Sequence, residues 1–361
     1  MYEIQLKEII SQIKSPDTDA QKTAQMRLDS LAKPPGSLGR LEEFAVTLAG
    51  IFGEVPKSLK PRCVIITASD NGVVDEGVAS APQKFTITQT VNFIKGLTGV
   101  CVTARLADSE LMVADLGIKT DAKLNGVIDM KIAQGTCNIA EGPAMSREEC
   151  AHAMLNGIEL VRMAHEKGCR MVGAGEMGIG NTTTSSAVLC ALTGYSPEDV
   201  TGKGAGLSNE AFDKKLSVIS RALGVNAPNS DDPIDVISKV GGFDIAAMAG
   251  VYIGAAYYRI PAVIDGFISM VSALCAYRIC DKVRSYMIPS HYSAEKGNSI
   301  AYKALGIEPV LNLGMRLGEG SGCPLSFTLA DNACALYHEM ATFAEACVDT
   351  EYLDAIDGFD K

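Results

Sequence analysis

The 361-residue sequence predicts an α/β fold in which a parallel sheet is covered by helices. Two observations predict it. Short apolar runs rich in β-branched residues, such as Cys63, Val64, Ile65, Ile66 and Thr67, read as strands buried on both faces. Each run ends in a loop rich in Gly, Asp or Ser and is followed by a stretch of helical periodicity, the alternation expected of strand–helix–strand units. In such sheets ligands bind outside the carboxyl ends of the strands, so the loops after the strands are where chemistry is expected.

From Tyr2 to about Phe52 the pattern is helical. Leu6, Ile9, Ile10 and Ile13 recur at helical spacing, and Glu3, Lys7 and Glu8 interrupt any leader-like apolar run, so an amphipathic helix is expected rather than a signal peptide. The loop Lys33, Pro34, Pro35, Gly36, Ser37, Leu38, Gly39 cannot continue a helix, and a small helical subdomain is expected to start here. The first strand, 63–67, stops at Asp70, Asn71, Gly72, and Leu111–Ala114 reads as a second. Further strands are expected at Met171–Val172, Ala262–Ile264, Tyr286–Ile288 and Val310–Leu313. A last helix, from about Ser326 to Cys347, is expected to pack back against the amino-terminal helices. No internal repeat or low-complexity segment is visible.

Composition excludes several classes of function. The formal charge is −11, and no segment clusters Lys and Arg, so there is no electrostatic footprint for nucleic acid or an anionic membrane. An anionic substrate must therefore be held by a local device. The uncharged stretch Ile245–Tyr258 ends at Arg259 and falls short of the ~20 apolar residues that span a bilayer. The eleven cysteines are odd in number, lack any CxxC or Cys/His pair at zinc spacing, and mostly sit in apolar runs. They read as small buried hydrophobes in a reducing compartment, the cytoplasm.

Four loops carry the residues from which chemistry can be built. Gly175, Glu176, Met177, Gly178, Ile179, Gly180, Asn181, Thr182, Thr183, Thr184 joins a strand to an apolar helix, and its glycines, amides and hydroxyls suit a phosphate or carboxylate. It is neither a Walker loop nor a dinucleotide fingerprint, and taken alone it reads as a structural turn rather than a site. A second Gly-rich segment, Gly202–Leu207, precedes a helix bearing Lys214 and Lys215, which reads either as cations for a phosphate or as a solvated face. The third, Ser290–Gly297, supplies hydroxyls and amides, with His291 read as structural. In the fourth, Leu311–Gly322, Glu319 sits between Gly318 and Gly320 beside the apolar Met315 and Leu317. Desolvation there would raise its pKa and make it a general base, whereas a turn Glu in water would do nothing.

Taken together, these segments resemble the nicotinate-nucleotide:dimethylbenzimidazole phosphoribosyltransferase family of cobalamin assembly. The resemblance runs over nearly the whole chain: KPPGSLGRLE (33–42), NGVVDEGV (71–78), GEMGIGNTTTSS (175–186), GKGAGL (202–207), GGFDIAAMAG (241–250), DGFI (265–268), SHYSAEKG (290–297) and LNLGMRLGEGSG (311–322). It implies a three-layer α/β/α Rossmann-like domain over 61–324, a small helical domain from residues 1–60 and 325–361, a dimer, and no metal or cofactor. It also implies a reaction. Nicotinate mononucleotide carries a pyridinium leaving group that needs no general acid, so the requirement is an activated nucleophile. Glu319 matches the family's catalytic base. Glu176, Gly178, Asn181, Thr182, Gly204 and Ser293 would hold the phosphoribosyl part, with Lys215 a phosphate partner and Leu317 and Gly318 beside the base.

The departures from the family lie in the aromatic-base pocket. Asp70, Asn71, Gly72 stand where the family usually reads Asp-His-Gly, and Ala79, Ser80, Ala81 where it reads Ser-Ala-Tyr. Thr88 takes the place of a glutamine that recognises the base, with Gln89 adjacent. Lost polar groups would change acceptor preference. Besides 5,6-dimethylbenzimidazole, the acceptors implied are thus a phenol or p-cresol, taken by a heterodimeric branch of the family. A third alternative is a non-catalytic subunit of such a pair, against which the retained Glu319 argues.

Overall fold

The computed structural model describes residues 1–202, 206 and 208–350. Six strands form one sheet, all neighbours parallel, in the order β3-β2-β1-β4-β5-β6. They are β1 (Arg62–Ser69), β2 (Glu110–Gly117), β3 (Ile128–Asp129), β4 (Met171–Met177), β5 (Ala262–Ile264) and β6 (Met287–Pro289). In β1 every residue is buried. Cys63 and Ile65 pack into one helical layer, and Val64, Ile66 and Ala68 into the other, so the period of two in the side chains feeds two cores from one strand.

One layer contains the helices Arg147–Glu166 and Phe243–Tyr257, which cross in close contact. A Cβ on Gly157 would strike the carbonyl of Ala247, and one on Gly250 the carbonyl of Met154, so both helices are bare of side chain where their backbones meet. The other layer contains Thr18–Ser30, Arg40–Phe52, Gly99–Leu106 and Cys323–Glu339, all contributing to one apolar cluster against the sheet. Buried Arg62 ties the last helix to β1: its guanidinium pairs with Asp331 at 2.8 Å and donates to the carbonyl of Ala107. No helix among the described residues is long and apolar enough to cross a membrane.

Most expected elements are present, with corrections. The segment Val310–Leu313 is not a strand: it makes a single parallel bridge, His291 to Leu311, and then turns outward as exposed loop. The two-residue β3 carries too short a pattern to be read. The amino-terminal helical region breaks a second time around Pro16, between Tyr2–Ser11 and Thr18–Ser30. The last helix runs over Cys323–Glu339, starting earlier and ending sooner than expected, because Pro324 is well suited to a first helical turn. It does pack against Arg40–Phe52, and Leu31 bridges to Thr342, whereas Tyr2–Ser11 packs on Arg147–Glu166.

The Gly157–Gly250 crossing generates a stability prediction. Gly250→Ala is expected to lower unfolding free energy by about 1–3 kcal/mol through overpacking, read as a reduced denaturant midpoint with unchanged slope.

Candidate active site

In this strand order the chain turns to opposite sides of the sheet from β1 and β4, and the crevice at their carboxyl ends is where α/β sheets place ligands. A cavity of ≈ 340 Å³ opens there. Its walls come from the loop after β4 (Glu176 to Thr182), the loop after β5 (Asp265 to Ser269), residues 78–81 with Phe85, and the loop Arg316 to Glu319.

The last of these loops is pinned through its backbone. Asp265 Oδ2 accepts from the Gly320 N–H at 3.0 Å and Asp265 Oδ1 from the Gly322 N–H at 2.6 Å, while Glu176 Oε1 accepts from the Glu319 N–H at 3.1 Å. Gly175 makes room for this: a Cβ there would come within 2.7 Å of the Gly320 nitrogen. Three successive residues, Gly318, Glu319 and Gly320, hold φ of 78°, 62° and 76°. Glycine adopts that region freely, but Glu319 does so at a cost. His291 stands behind Asp265, fully buried, with Nδ1 3.1 Å from Ser290 Oγ and 3.9 Å from Asp265 Oδ1.

The Glu319 side chain is 7 % exposed and lines the cavity. Gln89 Nε2 donates to its Oε1 at 2.6 Å, and the Gln89 oxygen accepts from Asn92 Nδ2 at 3.2 Å, which fixes the amide. Its other oxygen, Oε2, is buried without a hydrogen-bond partner. Burial raises the Glu319 pKa; the Gln89 bond pulls it partly back, and Asp265 adds a smaller upward push. Leu317, by contrast, is 58 % exposed at the cavity rim, so the desolvation comes from the packed loop and not from that side chain.

Three further carboxyls gather at the cavity floor: Glu176 and Asp265 line it, and Asp244 lies beneath. Burial lifts Glu176 to about 8 and Asp244 to about 6, and it also raises Asp265, against amide donors that favour the charged forms. Asn181 Nδ2 donates to Glu176 Oε2 and to Asp244 Oδ2. On the opposite side Lys215, 1 % exposed, donates to Thr182 Oγ1 at 3.0 Å and to the Gly202 carbonyl at 3.4 Å. Its burial lowers it to about 8, opposed by the charge of Glu295. Lys214 is exposed, so only one of the paired lysines reaches the site.

Glu176, Gly178, Asn181, Thr182, Lys215, Ser293, Leu317, Gly318, Glu319 and Ser80 thus all line one cavity. Ser293 Oγ also accepts from the Glu295 N–H. Gln89 reaches it through Glu319, but Thr88 does not: it is exposed, and its hydroxyl bonds to the Lys84 carbonyl of its own helix. Gly204 lies outside the described residues. Sequence reasoning passed over Asp265 and Asp244 as site residues, although both stood in noted motifs. Asp265 follows β5 directly, the position where a strand end delivers function. Thr86, whose hydroxyl accepts from the Ile179 N–H at 3.2 Å, carried no such signal.

Comparison with known proteins agrees with this geometry. Residues 13–348 match the phosphoribosyltransferase family DBI_PRT. The chain is 52% identical over 351 residues to the nicotinate-nucleotide–dimethylbenzimidazole phosphoribosyltransferase of Clostridium perfringens, covering 97% of each chain. It is 49% identical over 342 residues to that of Ruminiclostridium cellulolyticum, covering 95% and 97%. The crystal structure of CobT from Thermus thermophilus superposes with a TM-score of 0.88 at 38% identity, over 92% of this chain and 99% of that one. Sequence and architecture agree over almost the full length, and the chain belongs to the DBI_PRT phosphoribosyltransferase family.

Proposed function

We propose that this enzyme transfers the 5-phosphoribosyl group of nicotinate mononucleotide to 5,6-dimethylbenzimidazole or a related aromatic base, giving an α-riboside phosphate and nicotinate. The observation that carries the reading is Glu319, a desolvated carboxyl that lines the cavity with one oxygen held by Gln89 and the other buried without a hydrogen-bond partner. The names of the relatives supply the substrates; they give no support to a phenol acceptor or a non-catalytic role.

The acceptor's unprotonated ring nitrogen attacks the ribose anomeric carbon as the bond to the pyridinium nitrogen breaks. The bond's electron pair returns to nicotinate, neutralising its ring, and the acceptor's N–H proton passes to Glu319 Oε2. Attack from the face opposite the leaving group gives the α-anomer. Lys215, Thr182 and the amides at the start of the helix Asn181–Thr193 suit the phosphate. Ala81, Phe85, Ile179 and Leu317 offer an apolar wall for a flat base, with the hydroxyl residue Ser80 also lining the cavity.

Within the same proposal, residues 1–60 with 325–361 form a small helical domain and 61–324 the catalytic domain, residues 351–361 lying outside the described residues. The contact between Cys323–Glu339 and Arg40–Phe52 supports this, with Tyr2–Ser11 attached to the catalytic side. Exposed Phe85 and Leu317 at the cavity, with exposed Leu97 and Val102 elsewhere on the surface, support a dimer, of two identical chains or with a paralogue. The reducing compartment expected for eleven free thiols is the cytoplasm.

Four outcomes are expected. Glu319→Gln should reduce nicotinate release roughly a hundred- to ten-thousand-fold. Because Glu319 must be deprotonated and its pKa is raised, the acid limb of kcat/KM in the wild type should lie above the ordinary carboxylate range of about 4.3. Lys215→Met should raise KM for nicotinate mononucleotide about 10- to 100-fold, the worth of a charged hydrogen bond, with KM for the base unchanged. The fourth concerns stability. A carboxyl at about 8 in the folded state and near 4.3 unfolded keeps its proton longer when folded, so stability is lost as pH rises through that interval. Glu176→Gln should flatten the fall in unfolding free energy between pH 5 and 8, a slope of at most about 1.4 kcal/mol per pH unit from one group.

A further inference from the structure

Asp244 is fully buried at the start of the helix Phe243–Tyr257, and it is not one of the cavity-lining residues. Its Oδ2 accepts from Asn181 Nδ2 at 3.0 Å, and the same nitrogen donates to Glu176 Oε2. An asparagine amide has two protons, and here both are taken by buried carboxyls. What remains for a molecule in the cavity that Asn181 lines is the amide oxygen, an acceptor. Turned the other way, that oxygen would face the two carboxyls.

Of the two carboxyls, Asp244 decides the orientation. Glu176, at about 8, keeps a proton much of the time near neutral pH and can donate as well as accept. Asp244, at about 6, is mostly ionised there and can only accept. Its Oδ2 is helped by Asn181, which is not cationic, and its Oδ1 is buried without a hydrogen-bond partner. A buried carboxylate without a cation costs stability, so its place beneath the floor calls for a compensating use.

We propose that Asp244 is a positioning residue for the ribosyl subsite: it locks the Asn181 amide so that its oxygen accepts a hydrogen bond from a sugar hydroxyl of the substrate. This rests on the ribosyl-transfer reading above. Asp244 acts through Asn181 and touches no substrate. Asp244→Asn keeps size and shape but can donate as well as accept, which frees the Asn181 amide to turn over.

The test is calorimetric binding of nicotinate mononucleotide and its 2′-deoxy and 3′-deoxy forms to the full chain, with nicotinate release recorded separately. The wild type is expected to bind at least one deoxy form about five- to tenfold more weakly than the intact nucleotide. Asp244→Asn should lose that difference and bind the intact nucleotide about five- to tenfold more weakly, with its thermal midpoint close to wild type. An equal deoxy penalty in both proteins, or none in the wild type, overturns the proposal. Should Asp244→Asn fail to fold, Asn181→Ala must abolish the penalty in its place, and a penalty that survives there also overturns it. Hydroxyl-dependent binding without nicotinate release would sink the transfer reaction and leave this inference standing, turnover without a hydroxyl penalty would do the reverse, and no binding at all would end both.

Discussion

The grip of two buried carboxyls on the backbone of the Gly318–Gly322 loop is the constraint on which the site depends. Asp265, at the end of β5, holds the N–H groups of Gly320 and Gly322, and Glu176, at the end of β4, holds that of Glu319. These bonds join the two strand ends to a loop that belongs to neither, and they set where the Glu319 side chain leaves the chain. Without them the loop would be free to relax, because Glu319 sits in a backbone region that a residue with a Cβ does not choose. Gly175 is part of the same arrangement, since only a strand without a side chain there lets the loop lie so close.

The electrostatic result is unusual for a site meant to receive a phosphate. Four carboxyls, Glu176, Asp244, Asp265 and Glu319, are buried together, each with its proton affinity raised by desolvation. The buried cation opposite is Lys215. On the proposed reading, the attraction for an anion in a chain of net charge −11 is therefore local, made of Lys215, Arg316, a few hydroxyls and a helix start. Long-range steering contributes little to such a design.

Much of the architecture was legible because its signals are local. An apolar run such as 63–67, buried on both faces, has few alternatives to a central parallel strand, and the glycines around Glu319 marked a loop with an exceptional backbone. Elsewhere the signal was ambiguous or absent. Val310–Leu313 has strand composition but finds only one backbone partner, and pairing is a property of the neighbouring chain segment. β3 is held by its register to β2, which two residues cannot announce. At the site, alignment by position favoured Thr88, whereas the helix Phe85–Ile94 turns Gln89 toward Glu319 and leaves Thr88 outward. Asp244 and Asp265 were visible as letters in motifs, but their function lies in which amides they meet, and that is fixed only by tertiary packing.

The left-handed backbone at Glu319 has an evolutionary side. A residue with a Cβ in that conformation costs roughly 1–2 kcal/mol relative to its preferred regions, and glycine would escape most of the penalty. Replacing Glu319 by glycine would also remove a buried carboxylate whose Oε2 has no partner. On the proposed reading, the mutation that abolishes the base thus also relieves the backbone at this position, at the loss of the Gln89 hydrogen bond. On that reading selection for turnover is what retains a carboxylate in so strained a backbone, which makes position 319 an indicator of whether a given lineage still uses the enzyme.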